Sequence, residues 1–314
     1  MRFLDDFVKI SKSFGLHQAL KQVFLPRVLA KLYICDYFRL YEIAIRTFLS
    51  KNFFNIVLSY KNRKTDAFLE KIPNIIWVIW WQGEEKMPKV IRECYMSIKR
   101  NSAGRKVILI TEHNYNDYIT IPKYILNKVR KGIISFTHFS DVIRVSLLSK
   151  FGGLYIDCGI FVTKPIFLGD VSFFSTKVVS ANDKNVPNQN KWVIGLIGAT
   201  KGDVVVEYIR DMLYEYWKCF DIEIDYLMFD FILKLGYDNI EAIHNEIDHV
   251  EYNSPNIHES RYLFNKEVDK DKLMYLVTNN TFLSLTYRIK YPLLVNGQHS
   301  YYFELLKIYG RANN

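Results

Sequence analysis

Residues 140–159, reading SDVIRVSLLSKFGGLYIDCG, constrain the fold of this chain more than any other stretch. Ser140 makes a good helix N-cap, and Val142, Val145 and Leu148 recur at helical spacing as a core-facing stripe. The pair Gly152-Gly153 stops that helix. A short strand follows, in which Leu154, Ile156 and Cys158 point to one side and Tyr155 and Asp157 to the other. Asp141 and Arg144, three positions apart, are neighbours on the helix surface. One helix turn and one strand end thus bring two carboxylates and a guanidinium toward a single small region, with Asp157 at the strand tip.

The flanking sequence reads as an α/β domain. Residues 74–80 form a continuous apolar run, as expected of a strand buried on both faces. Residues 88–100 read as a helix and 106–110 as a second buried strand, while 122–131 read as a helix opening on Pro122. Strands alternating with helices imply a doubly wound, mainly parallel sheet with ligands at the carboxyl ends of its strands. Beyond the motif, an apolar stretch at 192–197 precedes helices at 204–217 and 225–235.

The spacing S-D-x-x-R-x-x-x-L-x-x-x-G-G-x-Y-x-D is carried by Ser140, Asp141, Arg144, Leu148, Gly152, Gly153, Tyr155 and Asp157. It resembles the capsular polysaccharide synthesis family of glycosyltransferases. That family is related to enzymes (glycosyltransferase family 32-like) whose sugar-binding region holds an Asp-x-Asp motif. Residues 72–83, IPNIIWVIWWQG, are similar to the family's opening strand, and the order of segments 190–202 and 225–231 follows it too. The likeness spans residues 71–302 and leaves the first seventy outside it. It implies a GT-A-type nucleotide-sugar-binding fold for residues 67–314.

By that resemblance, Asp141 and Arg144 contact hydroxyls of the donor sugar, since carboxylate and guanidinium suit paired hydrogen bonds to vicinal hydroxyls. Asp157 is the implied ligand of a divalent cation, Mn²⁺ or Mg²⁺, that bridges the donor's phosphates. Here the motif reads Asp157-Cys158-Gly159, so glycine replaces the second carboxylate. One carboxylate, waters and substrate phosphates suffice for such a cation. His299 is a second expected metal or diphosphate contact, because C-terminal segments of such transferases fold back over the donor. After the first strand, Trp80, Trp81, Gln82 and Gly83 are placed to bind the nucleotide, by ring stacking and by close backbone approach at glycine. Asn114 lines the same edge, and Tyr155 shares a strand face with Asp157. Asp225 and Asp230 fall in the region that shapes the acceptor site. Either suits a general base in an inverting reaction, and we take Asp225 as the candidate, although the related enzymes mostly retain configuration.

The basic excess of the chain is local. Its net charge is +9, yet residues 1–64 hold 12 Lys and Arg against 4 Asp and Glu, so the remainder is close to neutral. That neutrality argues against a nucleic-acid binder. Residues 1–66 read instead as a basic amphipathic helical arm, with Leu20, Phe24, Val28 and Leu32 at four-residue steps and a break at Pro26. Such helices either pack on the catalytic domain or lie in a membrane interface with Lys and Arg on anionic lipid. The 4 cysteines are scattered and form no disulfide framework or zinc pattern. No secretory leader and no apolar run of membrane-spanning length is legible. The expectation is a cytoplasmic protein held peripherally at the inner face of the cell membrane. It would move a sugar from a nucleotide-sugar donor to an oligosaccharide or a polyprenyl-diphosphate-linked saccharide. The competing expectation, motivated by Gly159, is a catalytically silent membrane-surface binding protein that keeps the fold.

Overall fold

The computed structural model describes residues 2–32, 36–63, 71–179 and 186–310. Cys35 and the expected boundary between arm and domain at residue 66 lie outside the described residues. Strands β1 (Ile75–Ile79) and β2 (Lys106–Ile110) form where the apolar runs lie, and β3 (Gly153–Ile156) follows the glycine pair. Then come β4 (Ile160–Val162), β5 (Phe173–Phe174), β6 (Leu196–Ala199) and β7 (Phe282–Ser284). The central sheet has the order β2-β1-β3-β6-β5, while β4 and β7 form a separate antiparallel pair.

Within the sheet, β1 runs parallel to both β2 and β3, and β6 runs antiparallel to both β3 and β5. The sheet is therefore mainly parallel in strand direction, but the doubly wound expectation holds only for its β2-β1-β3 half. An antiparallel neighbour needs no helical crossover, so β6 can insert beside β3 in the reverse sense. Both faces are covered, and alternate residues serve opposite sides. Trp77, Tyr155 and Ile197 join the larger core, whereas Ile76, Val78, Leu154 and Ile156 pack with Ile91, Tyr95 and Ile98 of helix Lys89–Arg100.

The motif helix runs from Phe136 to Phe151 and is capped by Ser135, whose hydroxyl accepts from the His138 N–H at 3.3 Å. Ser140 is thus not the N-cap but an internal residue, its hydroxyl donating to the Thr137 carbonyl at 2.6 Å. The reason is burial. From Val142 to Ser149 every residue is buried, so no amphipathic period marks where the helix begins. It ends at Gly152, which has φ +66° and whose N–H donates to the Leu148 carbonyl at 2.8 Å. A Cβ at Gly152 would lie 2.8 Å from the Ala199 carbonyl oxygen, so only glycine lets the helix turn directly into β3 against β6.

The arm helices are joined to the rest of the chain. Helix Tyr37–Lys61 places Ile45, Leu49, Phe53 and Val57 in one core with Val205, Ile209 and Tyr216 of helix Val204–Cys219 and Phe231 of helix Met228–Asn239. Tyr60 donates to Asp211 at 2.6 Å, and Arg63 pairs with Glu207 at 2.5 Å. Pro26 does not break the preceding helical stretch. The backbone widens into a π-helical turn over Leu20–Phe24 and continues as Leu25–Lys31, with Pro26 in the first turn of the last segment, where its missing N–H costs little.

Candidate active site

Asp157 directly follows β3, at the carboxyl end of the parallel half of the sheet. Its N–H donates to the Gly195 carbonyl and its own carbonyl accepts from Ile160, both at 2.8 Å. Its Oδ1 accepts from the Gly159 N–H at 3.0 Å. A Cβ at position 159 would sit 2.7 Å from the Leu285 carbonyl oxygen. The glycine that replaces the second carboxylate is therefore demanded by the close approach of the segment leaving β7. This is a packing requirement, and it leaves Asp157 half-buried beside a closed turn.

Asp141 and Arg144 are both buried on the motif helix, their side chains 3.2 Å apart. Arg144 is held from several directions. One Nη donates to the Ile194 carbonyl at 2.5 Å, another reaches the Tyr155 hydroxyl at 3.4 Å, and the guanidinium lies 4.2 Å from the centre of the Tyr155 ring. Its Nε has no hydrogen-bond partner. A buried donor left without a partner is uncommon and costly. Burial pushes the Asp141 carboxyl above its ordinary range; the Arg144 guanidinium, and after it His138, pull it back, and the nearby Asp157 charge adds to the rise. The three motif residues thus share one electrostatic neighbourhood.

Two further groups complete it. His138 lies one turn before Asp141, buried, with Nδ1 3.7 Å from Asp141 and Nε2 3.5 Å from Glu223. Asp230, on helix Met228–Asn239, is buried and accepts from the Trp192 indole N–H at 2.8 Å. Desolvation first, then the charges of Asp141 and Asp225, push its carboxyl up to about 7 against the opposing effects of Trp192 and Arg144. The i, i+3 spacing to Asp141 could have drawn attention to His138. Nothing in sequence marks Asp230 over Asp225.

The other expected residues fall in several places. Asp225 is not on the helix but in the turn before it, where it accepts from the Leu227 N–H at 2.6 Å and from the Tyr41 hydroxyl. Trp80 packs edge-on to Tyr287 at 5.9 Å, its indole N–H unpartnered. Trp81 is lodged among Tyr115, Phe136 and Phe139. Gln82 is exposed, and Gly83 closes a turn on the Trp80 carbonyl at 3.0 Å. Asn114 spends its amide on that loop's own backbone, accepting from Thr111 N–H at 2.8 Å and donating to the Leu109 carbonyl at 2.9 Å. His299 lies in a small hairpin formed by β8 (Leu294–Val295) and β9 (Gln298–His299), bonded to Glu304 at 2.7 Å and stacked near Phe303. The fold thus gathers Asp141, Arg144, Tyr155 and Asp157, whereas the contacts of Asn114 and His299 are with their own local segments.

Among the described residues, no three His, Cys, Asp or Glu side chains come together to cage a metal ion. Asp157, with Oδ2 not engaged by the Gly159 turn, offers a single carboxylate. That donor set fits a hard cation which keeps waters and takes substrate oxygens, and does not fit an all-protein site.

Three comparisons with known proteins add to these observations. A solved structure described as "PaToxG Glycosyltransferase" aligns at 16% identity over 66% of this chain and 78% of that one, with a TM-score of 0.36, a likeness too weak to carry an argument. No curated protein matches the chain. The family of capsular polysaccharide synthesis proteins matches residues 33–305. That match begins well before residue 71, taking in helix Tyr37–Lys61, in keeping with the place of that helix in the main core. With most of its length matched, and with the Asp141, Arg144 and Asp157 constellation inside the match, the chain belongs to the capsular polysaccharide synthesis family.

Proposed function

We propose that this protein is a glycosyltransferase that moves a sugar from a nucleotide-sugar donor to a saccharide acceptor, lipid-linked, in the assembly of a surface polysaccharide. The observation that carries this reading is the convergence of Asp141, Arg144 and Asp157 at the carboxyl end of β3, two of them buried and held in place. In the reaction the bond from the anomeric carbon to the diphosphate oxygen breaks, and its electron pair leaves with the diphosphate. The acceptor hydroxyl oxygen takes that place and gives its proton to the departing diphosphate oxygen. Asp141 and Arg144 orient the sugar through its hydroxyls. Asp157 faces the diphosphate end. A divalent cation, Mg²⁺ or Mn²⁺, held by Asp157 and the phosphate oxygens would neutralise the charge growing on the leaving group.

A GT-A-type fold and retention of anomeric configuration fit this reading, as does a place at the inner face of the membrane, where a polyprenyl-diphosphate acceptor would be met. No helix among the described residues is long and apolar enough to cross a membrane. The test is a panel of nucleotide sugars incubated with the purified protein, with and without Mn²⁺, scoring released nucleotide. Metal-dependent release from one donor, abolished in Asp157→Asn without loss of fold, supports the assignment. Undiminished release in that variant would overturn the role given to Asp157. Absence of both nucleotide binding and turnover would favour a silent fold instead.

A further inference from the structure

The helical stretch between Leu16 and Lys31 has two unlike faces. Its inner face is buried: Gln18 donates to the Ala44 carbonyl at 3.3 Å, Gln22 donates to the Ile224 carbonyl at 3.1 Å, and Ala19 and Val23 pack with Ile10. Its outer face is apolar and bare. Leu16 is 59% exposed, Leu20 40%, and Phe24 and Leu25 44% each. The π-helical turn over Leu20–Phe24 contributes to this, since its slower winding lets residues four and five apart stay on one side. Lys21 and Lys31 are exposed on the same stretch, and helix Arg2–Phe14 adds exposed Lys9 and Lys12 beside an exposed Asp5. Among the described residues nothing covers this face.

We propose that this face docks on an anionic lipid bilayer, with Leu16, Leu20, Phe24 and Leu25 in the acyl boundary and the neighbouring lysines on lipid phosphates. Apolar side chains flanked by lysines match an interface that is apolar beneath and negatively charged at its surface. The charge distribution agrees, because nearly all of the net positive charge belongs to residues 1–64. The proposal deepens the lipid-linked-acceptor reading above and in that respect rests on it. It also explains the inner face. Gln22 of the docking stretch holds Ile224, and Tyr41 of helix Tyr37–Lys61 holds Asp225, so the 220–227 loop is gripped from behind. That loop carries Glu223 against His138, and His138 faces Asp141. A bilayer on the outer face therefore lies one helical layer from the loop that borders the candidate site, where a lipid-borne acceptor would enter.

The experiment is flotation of the full chain with vesicles of phosphatidylcholine alone or of phosphatidylcholine with phosphatidylglycerol, at low and high salt. The protein should float with the anionic vesicles, and less so at high salt. The double variant Leu20→Ser with Phe24→Ser should bind at least about tenfold more weakly. Lys21→Glu with Lys31→Glu should also bind about tenfold more weakly and lose most of the salt dependence. A thermal melt like that of the parent chain controls for folding; if the apolar variant does not fold, the lysine variant decides alone. Failure to float, or flotation unchanged in a folded variant, would overturn the proposal. So would a concentration-dependent dimer that the Phe24 variant abolishes, which would give the face to a second copy. No sugar donor is needed, so a negative result leaves the transferase reading standing, and a silent donor panel leaves the docking result intact.

Discussion

The guanidinium of Arg144 lies over the ring of Tyr155, 4.2 Å from its centre, while the same group reaches Asp141 at 3.2 Å. One side chain thereby ties the motif helix to the strand that ends in Asp157. The tie depends on a planar cation that can stack and donate in several directions at once, which lysine cannot imitate.

Arg144→Lys should therefore fold but transfer sugar roughly 10- to 100-fold more slowly, corresponding to the loss of one or two charged hydrogen bonds. The measurement is the rate of nucleotide release from whichever donor the panel identifies, beside the circular dichroism of both proteins. An unchanged rate would remove Arg144 from the sugar-binding set.

Asp230 titrates near neutrality because it is buried, with the Asp141 and Asp225 charges adding to the effect. Asp230→Asn keeps an oxygen for the Trp192 indole but cannot ionise. If the charge of Asp230 influences the neighbouring site, the parent rate should change across pH 6 to 8, an interval about the value near 7, and the variant profile should be flatter there. Superimposable profiles would show that Asp230 acts only as a packing partner of Trp192.

Asp203 caps helix Val204–Cys219, accepting from the Val205 and Val206 N–H groups at 2.9 and 3.4 Å. Burial, with the Glu246 charge behind it, pushes its carboxyl from 3.8 up to about 8. The folded chain then holds a proton that the unfolded chain releases between those values. Stability from this residue is fully present below about pH 4 and is lost as pH rises toward 8. Asp203→Asn retains a capping oxygen and removes the titration. Its melting temperature should exceed that of the parent at pH 8, by about 2–4 °C for each kcal/mol regained, and the gap should close in acid. A gap independent of pH would mean that the carboxyl is not the cause.

Gly152→Ala should destabilise by about 2–5 kcal/mol, combining a left-handed backbone with a Cβ driven into the Ala199 carbonyl. Denaturant unfolding would measure it. A loss under about 1 kcal/mol would show that β3 and β6 can separate at that point more easily than their packing suggests.

Local pattern carried a good part of this fold. Strand β2 lies where the apolar run 106–110 placed it, and helices Lys89–Arg100 and Val204–Cys219 begin within a residue of expectation, since Pro88 and Asp203 mark their starts. The motif helix is the instructive exception. Its middle, from Asp141 to Ser149, is buried all round, so periodicity there could not point to its first residue, and the cap proved to be Ser135.

The sequence by itself determined that Asp141, Arg144 and Asp157 would converge, because helix spacing, a glycine stop and strand alternation are all local rules acting over a few residues. It also determined which side of β3 each residue faces. Only the tertiary structure decided that β6 enters reversed, that Tyr41 grips Asp225 from 184 residues away, and that Asp230 is buried against Trp192. It likewise decided that Gly159 is glycine because Leu285 passes so close. These outcomes depend on which distant surfaces meet, and burial, hydrogen bonding and the charge state of a carboxyl follow from that meeting and not from the residues on either side.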